Sequence, residues 1–217
     1  GQEQLQYVHV SIIYSKPQVY SPSKQEPNPI ADSVLKRFRQ EEEKEFVSQL
    51  RDLKVGGVWN SCIIMFLDGI EDPHNLGAIL RTCWLMGVKA IYTPHYNSAG
   101  LSPAANKVAS GAAEHVPVEE VSNLAAEIAK FKDLGFWVYG AAFENSESLW
   151  QTEFSEKVII VIGAEDKGIR KPVLKACDHI INIPQIESNA SYNASVASSI
   201  ILSEACRQHH FANGLGK

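Results

Sequence analysis

Ser191-Tyr192-Asn193-Ala194-Ser195 follows an apolar run that ends in Ile183-Pro184, and it opens the last helical stretch of the chain. Two earlier segments share that placement: Asp72-Pro73-His74-Asn75-Leu76-Gly77-Ala78-Ile79-Leu80-Arg81, and Gly163-Ala164-Glu165-Asp166-Lys167-Gly168. Each sets small or polar residues where a strand-like apolar run gives way to a helix-like one. Such junctions are where α/β proteins hold ligands. Three of them, in this order, point to one composite site.

The rest of the chain beyond Gly57 fits that frame. Cys62–Leu67 is a short apolar run suited to a buried parallel strand, and Leu76–Met86 has helical spacing. Ala90–Thr93 reads as a second strand and Ser102–Ser110 as a small-residue helix with Ser102 as its N-cap. A short strand is expected at His115–Val118. Leu124–Leu134 is amphipathic and stops before Gly135; Phe136–Ala142 reads as a strand. Val158–Ile162 is the most apolar strand, Pro172–Ala176 a short helix, His179–Ile183 the last strand and Asn193–Arg207 a long helix. Strands alternating with helices predict an α/β fold, a mostly parallel sheet with helices on both faces.

Residues 1–57 differ in character. Pro17, Pro22, Pro27 and Pro29 punctuate the first thirty residues, where only Val8–Tyr14 suggests a strand. Ala31–Leu53 reads as a highly charged helix ended by Gly56-Gly57. It is expected to be a solvated linker, or an RNA-contacting or partner-docking arm that uses Lys36, Arg37 and Arg39. Two regions result: an arm and linker helix over 1–57, and an α/β domain over 58–217. The chain begins at Gly1 rather than Met, so some natural N-terminal sequence is expected to precede it.

Composition narrows the class. The 217 residues are 45% hydrophobic and 21% charged, with a net charge of -5, which argues against a non-specific polyanion binder but permits a local basic patch. Lys107, Lys167, Arg170 and Lys171 are candidate phosphate contacts. Cys62, Cys83, Cys177 and Cys206 are widely spaced without a CxxC pair, so they read as reduced core thiols and no metal site is expected. No stretch is long and apolar enough to span a bilayer and no charged-then-apolar leader opens the chain, so a cytoplasmic protein is expected. The first strand is followed by neither GxGxxG nor a Walker A motif, which disfavours a conventional Rossmann cofactor site.

Jointly the three segments resemble the signature motifs of the SpoU (TrmH-like) branch of the SPOUT RNA methyltransferases. Asn75, Gly77, Ala78 and Arg81 fit the first motif; Gly163, Glu165 and Gly168 fit the second; Ser191, Asn193 and Ser195 fit the third. The resemblance covers about residues 61 to 210. It implies a deep C-terminal trefoil knot, an exception to ordinary chain topology. It further implies a homodimer with a composite active site, S-adenosyl-L-methionine as cofactor, and methyl transfer to a ribose 2′-hydroxyl of tRNA or rRNA.

By position in the motifs, Gly163, Ile183, Tyr192 and Gly168 correspond to cofactor contacts, with Ala141 and Ala142 lining the same pocket. Arg81 corresponds to the catalytic arginine. Asn75, Glu165 and Asn193 would hold the constellation, and Ser191 would bind cofactor or substrate. Taken singly, Asn75 and Asn193 are ordinary helix caps and Glu165 a surface carboxylate, whereas Arg81 is expected on the apolar face formed with Ile79, Leu80, Cys83 and Leu85, where it calls for a partner or a phosphate. Two positions depart from the pattern. Tyr192 stands where Leu is usual, and Asp166-Lys167 replaces a frequent Gly-acidic pair. A knotted RNA-binding or assembly factor without catalysis is the rival expectation.

Overall fold

The computed structural model describes residues 45, 48, 62–187 and 190–211. Glu45 and Ser48, within the predicted helix Ala31–Leu53, are helical; the remainder of that helix, the strand Val8–Tyr14 and Lys36, Arg37 and Arg39 lie outside the described residues. The chain divides into Gly1–Ser48 and Gln49–Lys217, and the fold described below is that of the second unit.

Seven strands form one sheet, and every pairing in it is parallel. They are β1 (Cys62–Asp68), β2 (Ala90–Pro94), β3 (Val118–Val121), β4 (Trp137–Ala141), β5 (Glu147–Ser148), β6 (Lys157–Gly163) and β7 (His179–Asn182). Their spatial order is β3-β2-β1-β6-β4-β7-β5. The helices are α1 (Pro73–Leu85), α2 (Pro103–Ala109), α3 (Leu124–Asp133), α4 (Lys171–Ala176) and α5 (Ala194–Cys206), with a π-turn at Arg207–Phe211. The central strands are apolar along their whole length because helices cover both faces: all seven residues of β1 are buried, as are Val158–Ile162 of β6.

Both covers are visible in the packing. On one face Ile63, Met65 and Leu67 join Leu76, Ile79, Leu80 and Cys83 of α1 and Ile201, Leu202 and Ala205 of α5 in one core. On the other, Phe66 stacks on Tyr92 at 4.9 Å, and Phe131 of α3 meets both rings edge-on at 5.9 and 5.2 Å. Burying a side chain of this size contributes about 1.5–3 kcal/mol.

Most predicted elements appear within one to three residues of their expected ends. Ser102 caps α2, accepting from the Ala105 amide at 3.2 Å. The strand expected at His115–Val118 instead spans Val118–Val121, because Ala112–Glu114 forms a 3-10 turn and His115 belongs to its exit. The two-residue β5 and the 3-10 turn at Leu149–Gln151 had no periodic signal to announce them.

The helix N-termini decide what the site can contain. Asp72 caps α1, accepting from the His74 amide at 2.9 Å, and Pro73 supplies a fixed φ where no amide is needed. Asn75 is therefore not the cap, and its amide is released for other work. α1 lies close to α2 because Gly77 has no side chain: a Cβ there would stand 2.5 Å from Ala105 O and 2.7 Å from Val108 Cβ. The glycine of the first motif is thus accounted for by helix packing.

Candidate functional site

Three side chains from the three motifs meet above the carboxyl ends of the central strands. Asn75 Nδ2 donates to Glu165 Oε1 at 3.0 Å, and Asn193 Nδ2 donates to Asn75 Oδ1 at 2.9 Å and also to Glu165 Oε1. The Ala194 amide adds a third donor to Glu165 Oε1 at 3.2 Å. Asn193 Oδ1 in turn accepts from the Ser195 amide and hydroxyl, at 3.0 and 2.6 Å. Asn193 is thus both a helix cap and a bridge. Glu165 sits at the positive end of α5, where a carboxylate is favoured by the helix dipole and by the first free amides.

The loop that carries Glu165 is held from behind. Asp68, at the end of β1, has a side chain with no exposed surface. It accepts from the Arg170 amide at 2.8 Å, from Arg170 Nε at 2.7 Å and from Arg170 Nη2 at 2.6 Å. The Ala164 amide donates to Asp68 O at 3.1 Å, and the Gly168 amide donates back to Ala164 O at 2.8 Å, closing the loop. Gly168 takes a left-handed φ of +64°, which a glycine adopts freely. At Gly163 a Cβ would lie 2.2 Å from Gly168 C and 2.3 Å from Ile169 N, so only glycine fits this turn. Asp68 was missed in the sequence, although a carboxylate closing a fully apolar strand is a legible signal. Arg170, expected at a phosphate, has its guanidinium engaged by Asp68 instead.

The positions expected at a cofactor gather at one edge. Ala141 closes β4, Gly163 closes β6 and Ile183 follows β7, and these three strands are neighbours in the sheet. Ala141 and Ala142 are half-buried and small, and Ile183 is buried. The Ala142 amide is bound to Ile181 O at 3.0 Å. Tyr192 remains 39% exposed, and neither it nor Ser191 makes a side-chain hydrogen bond among the described residues. Ala141, Gly163 and Ile183 thus set small and apolar residues at three neighbouring strand ends.

Arg81 stands apart from this cluster. It is exposed on the outer side of α1 and makes no ion pair or hydrogen bond among the described residues. The apolar face of α1 is formed by Leu76, Ile79, Leu80 and Cys83, so the expectation that Arg81 shares that face is corrected. The α1 side toward α5 carries Asn75 and Thr82, the latter 3.1 Å from Ser199 Oγ. Arg81 lies between that side and the one facing α2, about 9 Å along the axis from Asn75 at 1.5 Å per residue.

The cysteines offer no nucleophile. All four are unpaired, and burial pushes the Cys62 and Cys177 thiols up to about 12 and Cys206 up to about 11, with Cys83 raised further still. None forms a thiolate near neutral pH. A groove of about 620 Å³ between Trp150–Phe154 and Glu204–His209 lies at the far end of α5, some 20 Å from Glu165 by helix rise, and receives no motif residue.

An all-parallel α/β sheet with an amide–carboxylate bridge and a small-residue rim at its carboxyl edge defines an α/β domain with a composite site at the strand ends. Residues 62–203 match the SpoU rRNA Methylase family, and the chain belongs to that family. It is 44% identical over 146 residues to the 23S rRNA (guanosine-2′-O-)-methyltransferase RlmB of Pseudomonas syringae pv. tomato, an alignment covering 67% of this chain and 58% of that protein. The chain spans about six tenths of the length of the curated relatives it matches. The A. aeolicus TrmH/SpoU tRNA modifying enzyme superposes with a TM-score of 0.64 at 27% identity, covering 78% of this chain and 85% of that one. An AdoMet-bound rRNA methyltransferase from Sinorhizobium meliloti shares the fold, with a TM-score of 0.65 at 24% identity over 74% of this chain and 60% of that one.

Proposed function

We propose that residues 58–217 form the catalytic domain of an S-adenosyl-L-methionine-dependent ribose 2′-O-methyltransferase that acts on ribosomal RNA. It works in the cytoplasm as a homodimer with composite active sites. The observation that carries this reading is the bridge of Asn75, Glu165 and Asn193, which ties the three motifs together beside the small-residue strand ends. The 23S rRNA activity of the RlmB relative favours rRNA over tRNA as substrate. The C-terminal path supports a knot: the chain leaves the sheet after β7, beyond β4, and returns to Glu165 on the β6–α4 loop before α5 packs on α1.

The cofactor would be held by Gly163, Ile183, Tyr192, Ala141 and Ala142, with Gly168 shaping the loop above it. When bound, it supplies a methyl group on a sulfonium centre, an electrophile that needs no metal. The protein's part is to place a ribose hydroxyl in line and to steady the charge that develops on its oxygen. Arg81 suits the second task. A guanidinium is a donor without an acceptor site, so Arg81 orients and stabilises, and an RNA phosphate oxygen assists in taking the proton. Ser191 lies beside Tyr192 at the mouth of the site, where it can bind cofactor or substrate.

The separation of Arg81 from its own protomer's bridge is what a composite site requires. With no partner among the described residues, Arg81 is available to the site of a second copy. The deciding experiment is transfer of labelled methyl from S-adenosylmethionine to rRNA and to tRNA, each from cells lacking this protein. Label recovered as a ribose-methylated nucleotide in rRNA is the expected result. Label on a base, or none on either RNA while calorimetry shows cofactor bound, would overturn the reading.

A further inference from the structure

Trp84 and His115 form a stacked pair on the protein surface. Their ring centroids are 4.4 Å apart and their planes differ by only 3°, while Trp84 remains 40% exposed. Burial does not account for such a pair, since His115 is exposed as well. Its geometry is built rather than incidental. Ser110 and Gly111 both take left-handed φ, +52° and +87°, which turns the chain back from α2 toward α1. The His115 backbone is then fixed by the hydrogen bond its amide donates to Ala112 O at 3.0 Å. One face of the indole is occupied and held flat, and the exposed remainder can take a second ring.

Position supplies the occupant. Gly77, Arg81 and Trp84 recur at i, i+4 and i+7 along one side of α1. Gly77 meets Val108 of α2 and Trp84 meets His115, so Arg81 stands between two packed points with its guanidinium unpaired among the described residues. A flat aromatic platform one turn from a free cation matches a nucleotide, with a base for the ring and a phosphate for the guanidinium.

We propose that the Trp84–His115 pair is a stacking platform for an unpaired RNA base next to the nucleotide whose phosphate Arg81 engages. This rests on the RNA-methyltransferase reading of the site and adds the surface that grips the substrate. Trp84 and His115 position RNA and do not touch the reacting atoms.

The test uses the full 217-residue chain and Trp84→Ala, Trp84→Phe and His115→Ala variants. Each is titrated with a 23S rRNA transcript by filter binding at one fixed salt concentration. In parallel, S-adenosylmethionine is titrated calorimetrically and mass is followed by light scattering. Loss of one base stack is expected to weaken RNA binding about 5- to 100-fold in Trp84→Ala, with Trp84→Phe close to wild type and His115→Ala between them. Cofactor affinity and mass should not change. RNA affinity unaltered in Trp84→Ala would overturn the proposal, as would a loss of dimer mass, which would assign the surface to a second copy of this chain. Wild-type chain that binds RNA through Trp84 yet transfers no methyl would leave the platform standing and remove the enzymatic reading. Methyl transfer with an unchanged KM in Trp84→Ala would do the reverse.

Discussion

Asn193 Nδ2 donates to Asn75 Oδ1 at 2.9 Å, joining side chains 118 residues apart. The bond matters because both residues also donate to Glu165, so the first turns of α1 and α5 are locked to one carboxylate on the β6–α4 loop. With two donors and one acceptor oxygen, each amide has a single sensible orientation, set by the network. Two helix starts and a loop thereby become one rigid edge.

Glu165 should be sensitive to loss and Asn193 to added charge. Glu165→Ala leaves both amides without their shared acceptor, and the resulting displacement should lower kcat/KM by about 100-fold. Asn193→Asp sets a second carboxylate against Glu165. Such a pair holds one folded-state pKa above its unfolded value, so the folded variant binds a proton more readily as pH falls. The Tm gap between wild type and Asn193→Asp should therefore be widest near pH 7 and close toward about pH 4, where carboxylates protonate. Thermal melts across that window check the sign; a constant gap would mean the two side chains do not meet in solution.

Asp68 and Arg170 should report on the loop itself. Asp68→Asn removes the buried charge that three donors share, and Arg170 Nε and Nη2 lose a carboxylate. Breaking one side of a fully buried pair costs about 3–5 kcal/mol, but Arg170 is 52% exposed and solvent recovers part of this, so about 1–3 kcal/mol is expected. Arg170→Lys should fall between, because an ammonium cannot reproduce the Nε and Nη2 contacts. Urea unfolding gives the loss, and cofactor titration should show weaker binding in both variants.

The sheet, the order of its helices and the three converging motifs were legible in the sequence because apolar runs and caps are local signals. Ser102 before Pro103 is such a case: the hydroxyl, the proline and the small residues that follow each indicate a helix start. What could not be read were relations between distant residues. Asp72 before Pro73 carries the same local cap signal, and only the fold shows that Asn75 has a distant partner. Arg170 looked like a free phosphate contact because its partner Asp68 lies 102 residues away. Arg81 was placed on the wrong face of its helix because Ile79, Leu80 and Cys83 surround it in sequence while it points away from them in space.

Two glycines should separate packing from binding. Gly77→Ala drives a methyl into Ala105 O and Val108, and forcing α1 from α2 should cost about 1–3 kcal/mol with cofactor affinity nearly kept. Gly163→Ala meets backbone at 2.2 and 2.3 Å, which cannot yield by a rotamer change. The loop must then move, and cofactor binding should be lost beyond what the drop in stability explains. Denaturant unfolding and calorimetric titration of both variants make the comparison; equal losses of affinity would refute the separate roles.

Arg81 is exposed and unpaired among the described residues, so Arg81→Ala should leave Tm and cofactor affinity nearly unchanged while methyl transfer falls by about 100-fold or more. The composite-site reading makes a sharper demand. Arg81→Ala chains keep a working cofactor site, and Gly163→Ala chains keep a working arginine. In a mixed dimer, one of the two sites would receive Arg81 from the second chain and cofactor from the first. Equal mixing makes half of the dimers mixed, so about one quarter of wild-type activity should return from two inactive preparations. If Arg81 served its own protomer, the mixed dimer would hold one site without arginine and one without cofactor, and mixing would restore nothing.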